Sequence, residues 1–72
     1  MTVYFFNIDR HPFHDTEGLE LPDFAAMRAE ATGFARDYVR MNPERRDWTD
    51  WAVRVTDESR MTVLQLLFVE VV

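Results

Sequence analysis

The sequence predicts an α+β domain of order ββαββ: a small antiparallel or mixed sheet with one helix packed on one face. Three observations carry this. Two short β-rich runs near the start flank a loop with proline and glycine. A central segment repeats apolar residues every three or four positions. Two later segments are apolar in alternation around a polar turn.

The first strand spans Thr2 to Asp9, TVYFFNID, with Val3 and Phe5 on one side and Tyr4, Phe6 and Ile8 on the other. Apolar residues of both parities predict a strand buried on both faces. Arg10 to Gly18 reads as a loop. Leu19 to Leu21 forms a short second strand, pairing antiparallel with the first.

Pro22 and Asp23 open the helix. The Asp23 carboxylate suits an N-cap, accepting from the free amides of the first turn. Phe24, Met27, Ala31, Phe34, Tyr38 and Met41 then make one apolar stripe. Gly33 weakens the middle by up to ~1 kcal/mol relative to alanine. Asn42 and Pro43 end the helix.

Glu44 to Asp47 is a charged connector. In the third strand Trp51, Val53 and Val55 share a face, with Asp50, Ala52, Arg54 and Thr56 on the other. DESR, Asp57 to Arg60, reads as a hairpin turn, and Met61 to Val69 as the last strand. A two-residue turn at Glu58 and Ser59 would set Val53 opposite Leu64 and Trp51 opposite Leu66. The first and last strands read as central, the second and third as edges.

The chain has 72 residues and no cysteine, so it is expected to be one domain, residues 1–72, without disulfides or thiolate metal ligands. Its net charge is −5, and all eight basic residues are arginine. That balance disfavours nucleic acid and anionic membranes as partners. No apolar run approaches the roughly 20 residues of a membrane span, and the start lacks a basic leader. A cytoplasmic setting is expected.

The segments YFF (Tyr4 to Phe6), DTEGLELPD (Asp15 to Asp23), AMRAEA (Ala26 to Ala31), DW..W.V.VTDE (Asp47 to Glu58) and the L.F of Leu66 to Phe68 come in a distinctive order. In that order and spacing the chain resembles a family of small bacterial proteins, domain-of-unknown-function family 6894. The resemblance covers nearly the whole chain. It implies no established activity, so no catalytic residue is carried over. The family commonly has a glycine in the last turn, where this chain has Ser59 and Arg60. It commonly has Asp or Gly in the first loop, where this chain has His11 and His14.

Four chemistries compete for these residues. His11 and His14, with Asp9, Asp15 and Glu17 nearby, are metal-type ligands, but Pro12 and the loop leave them unprepared, so no metal and no cofactor is expected. Asp15, Glu17, Glu20 and Asp23 form an acidic cluster without a pocket to split their acidities, and no nucleophile–base pair accompanies them. An enzyme is not expected. Arg36, Arg40, Arg45 and Arg46 cluster near Trp48, but Asp37, Glu44 and Asp47 dilute the charge, and arginines complement a helix C-terminus. An antitoxin-like or nucleic-acid-associated regulator stands as the alternative, by fold analogy. The leading expectation is a non-enzymatic module that forms a homodimer or docks on another protein. One helix covers one sheet face, and the other needs cover. The assigned interface residues are Val63, Leu67 and Val69. Leu66, sharing parity with Leu64 and Phe68, is assigned to the helix.

Overall fold

The computed structural model describes residues 1–9 and 15–71. His11 and His14 lie outside the described residues. The elements run β1 (Thr2–Ile8), β2 (Leu19–Leu21), α1 (Phe24–Met41), β3 (Ala52–Thr56) and β4 (Thr62–Leu67), followed by a 3-10 turn at Phe68–Glu70. The expected ββαββ order is therefore the observed one. All pairings are antiparallel, and α1 packs on one face of the sheet.

The strand order is β2-β1-β3-β4. This corrects one expectation: β1 is central, but its central neighbour is β3, and β4 is an edge. Arg54 lies on the mixed face of β3, a half-buried strand that reads as an edge. In a central position its guanidinium faces away from the helix and bonds to Asp9 at 3.1 Å, so it needs no solvated edge.

The β3–β4 register also differs, by two residues. Val53 lies opposite Leu66 and Val55 opposite Leu64. The Asp57 amide bonds to the Met61 carbonyl, and the Arg60 amide to the Asp57 carbonyl. Arg60 adopts φ 65°, so the turn takes three residues rather than two. A bulge at Val55/Thr56 then restores parity. A two-residue shift leaves Leu64, Leu66 and Leu67 on their expected faces. Arg60 here takes a conformation that glycine adopts most freely.

The last strand stops at Leu67 rather than Val69, although the Phe68 amide still bonds to the Trp51 carbonyl at 2.9 Å. Val69 thus sits in the 3-10 turn.

Asp23 caps α1 as expected: its carboxylate accepts from the Ala26 amide at 2.8 Å. At the other end the Asn42 side chain donates to the Tyr38 carbonyl at 2.8 Å, before Pro43 stops the helix. The buried line is Met27, Ala31 and Ala35, flanked by Phe34 and Tyr38. Phe24 and Met41, expected on the stripe, are exposed. They lie at the helix ends, whereas the alanines bring the middle of the helix close to the sheet.

The core joins these residues to Phe6 and Ile8 of β1, Val53 and Val55 of β3, and Leu66. Trp48 and Phe68 close one end. Their rings stack with centroids 5.1 Å apart and an interplanar angle of 11°. Tyr38 meets both edge-on at 5.9 Å, and Trp51 meets Trp48 at 5.3 Å.

Two glycines separate two effects. Gly18 has φ +77°, and a Cβ there would lie 2.5 Å from Cγ1 of Val3. Gly33 is in the helix, and a Cβ added there would meet nothing within 4 Å. Gly18→Ala is expected to cost about 1–3 kcal/mol from backbone strain, whereas Gly33→Ala is expected to gain about 0.5–1 kcal/mol. Urea unfolding of the two variants checks both signs.

Candidate functional site

The sheet register puts Val3, Phe5 and Asn7 of β1, Glu20 of β2, Ala52, Arg54 and Thr56 of β3, and Gln65 and Leu67 of β4 on the face away from the helix. This face is not uniformly apolar. Asn7, Arg54 and Gln65 form one polar row across three strands. Arg54 and Gln65 both donate to one carboxylate oxygen of Asp9, at 3.1 and 3.2 Å. Val3 and Phe5 lie toward one end of this row, and Ala52 beside Leu67 toward the other.

A shallow groove of about 640 Å³ crosses the face, lined by Phe5, Asn7, Asp9, Asp15, Arg54, Asp57, Glu58 and Arg60 among others. Its carboxylates already hold partners. Asp15 accepts from the amides of Phe6, Glu17 and Gly18, at 3.2, 3.1 and 3.0 Å. Asp57 accepts from the amides of Ser59 and Met61. Glu58 accepts from the Val3 amide at 3.4 Å.

The placement has a simple cause. Phe6 lies past the last β1–β2 pair, and Val3 past the last β1–β3 pair, so each amide has lost its ladder acceptor. A carboxylate stands in. The acidic cluster read from the sequence is thus divided among separate tasks: Asp15 holds a ladder end and a turn, Asp23 caps the helix, and Glu20 points from the open face of β2. Among the described residues no three His, Cys, Asp or Glu side chains converge as metal ligands.

The arginine cluster is engaged in a different way. The Arg45 guanidinium lies 4.6 Å from the Trp51 ring centre and 5.6 Å from that of Trp48. Arg40 sits 3.6 Å from Asp37 on the exposed helix surface. Trp48, the aromatic beside the arginine cluster in the sequence, is buried in the core. The signal missed was its spacing from Trp51: the Trp51 amide bonds to the Trp48 carbonyl across a turn with Asp50 at φ 71°, which turns both rings to one side. Nearby, the Thr49 hydroxyl and amide, then Arg45, hold the Asp47 carboxyl below its ordinary value of 3.8. Asp47 therefore favours the folded state above that value, and this is lost as pH falls through its lowered folded value.

The candidate interface residues lie along β4. Leu66 is 4% exposed against the helix, while Leu67 is 42% exposed on the other face. Val63 is partly buried, and Val69, in the 3-10 turn, is 50% exposed. Met61, which sequence reasoning passed over, is 63% exposed at the start of the same strand. Because the Phe68 amide bonds to the Trp51 carbonyl, the alternation of an antiparallel ladder directs Leu64 and Leu66 toward β3, and Gln65 and Leu67 outward. The Leu67 amide is met by its own Glu70 carboxylate at 3.2 Å.

Fold and surface define a small α+β domain with one covered sheet face, one open face and an uncharged outer strand. No helix among the described residues is long and apolar enough to cross a membrane. A family model described as "Domain of unknown function (DUF6894)" matches residues 3–69. The chain belongs to that family. No curated protein and no solved structure matches it.

Asp15 gives a direct test of its structural role. Asp15→Ala leaves three amides without their acceptor, and a loss of about 1–3 kcal/mol in thermal unfolding is expected. An unchanged midpoint would return Asp15 to the pool of groups available for chemistry.

Proposed function

We propose that the domain is a non-enzymatic association module, working in the cytoplasm, whose contact surface is centred on Val63, Leu67 and Val69 with Met61 beside them. One observation carries the reading: Met61, Leu67 and Val69 are 63%, 42% and 50% exposed along a single outer strand and its ends. Apolar side chains gathered in this way mark contact surfaces. The groove supports a non-enzymatic role, since Asp15, Asp57 and Glu58 accept from backbone amides and Asp9 is held by Arg54 and Gln65. A nucleic-acid-associated regulator, antitoxin-like or otherwise, has less support. Arg45 is laid on Trp51, and Trp48 is inside the core.

Adjacent leucines test the proposal. A glutamate at position 66 would be an unpaired charge in the core, costing several kcal/mol. Leu66→Glu is expected to unfold the chain by circular dichroism. Leu67→Glu is expected to stay folded, with light scattering giving the mass of one chain where the wild type gives two. A wild type of single-chain mass at high micromolar concentration defeats self-association. A salt-sensitive gel shift with duplex DNA would favour the regulator instead.

A further inference from the structure

We infer that the partner is a second copy of this chain, added antiparallel along the outer edge of β4, so that two four-stranded sheets join into one of eight strands. The inference rests on the self-association reading and names its geometry.

The two edges of the sheet differ in a telling way. β2 has three residues, carries Glu20 at its middle and runs directly into Pro22. Charge, brevity and proline are ordinary means of keeping an edge from pairing. β4 has six residues, TVLQLL, with neither charge nor proline. The Gln65 amide and carbonyl point away from β3, and Val63 is the extra residue of the bulge. A strand that meets itself across a two-fold axis sets like against like. Two copies of β2 centred on Glu20 would oppose two carboxylates. Two copies of β4 oppose none.

The register follows from the same alternation. Only outward-facing residues can form hydrogen-bonded pairs with a new strand. With Gln65 on the axis, its main chain pairs with itself and its side-chain amide can both donate and accept. The bulge at Val63 then lies beside the partner's Leu67. Leu64 faces the partner's Leu66 on the helix side, joining the two cores. In this register the partner's Val63 carbonyl takes the Leu67 amide now held by Glu70, so Glu70 competes with the partner.

Proline at an outward position removes an edge donor and no ladder bond. Gln65→Pro is therefore expected to halve the wild-type mass in sedimentation while leaving the circular dichroism of the fold. Glu20→Pro, the matching change on the β2 edge, is expected to keep the mass of two chains. Amide exchange on the unmodified wild type is the second measurement. The Gln65 amide is expected to be protected at high micromolar concentration and to lose that protection on dilution. A dimeric wild type in which the Gln65 amide exchanges freely at every concentration overturns the edge geometry and leaves self-association standing, as would a folded Gln65→Pro that remains dimeric. If Gln65→Pro fails to fold, the exchange result decides. A monomeric wild type overturns the underlying reading itself.

Discussion

The stack of Trp48 on Phe68 is the contact that the rest of the domain leans on. It joins the connector after the helix to the turn after β4, beside the bond from the Phe68 amide to the Trp51 carbonyl. Tyr38 brings in the last part of α1, and Trp51 the approach to β3. Aromatic pairs of this geometry contribute about 0.5–1.5 kcal/mol each beyond the area they bury. In a chain of 72 residues that is a large share of a small net stability. The helix has an alanine line against the sheet, which sets its distance. The aromatic rings add the bulk that fixes its far end.

What could be read in the sequence was local, and what could not was relational. Asp23 as a cap, the stop at Asn42 and Pro43, and the division of Leu66 from Leu67 each follow from short-range rules, and the structure agrees. Strand order depended on whether Arg54 could live inside the sheet. Only the positions of Asp9 and Gln65 answer that. The hairpin register turned on Arg60 taking a left-handed conformation usually left to glycine. The burial of Trp48 was not legible because charged neighbours surround it in sequence, while Phe68, on which its ring stacks, is twenty positions away. For the candidate surface, the exposure of Leu67 was readable from parity. The outward direction of its amide was not, since that needs the ladder phase.

The acidic composition acquires a structural meaning. Asp15, Asp23, Asp47, Asp57, Glu58 and Glu70 all accept from main-chain amides at strand ends, turns or the helix start. Carboxylates make strong acceptors for such orphan donors. The cations are all arginine, and Arg45 shows what that permits: a flat guanidinium lies over a ring where an ammonium would keep more of its water.

The sheet is built of two antiparallel pairs, β1–β2 and β3–β4, and its only seam is β1 against β3. Residues that meet at this seam are far apart in the chain, as with Asn7 and Arg54, separated by 47 positions. A two-stranded pair by itself is barely stable in water. Closing the seam carries the loop entropy of the whole helix and connector. Folding is thereby tied to a single late, non-local event, slower than a helical chain of this length would show. Once closed, the seam makes the domain open as one unit: separating β1 from β3 is the same act as losing the core.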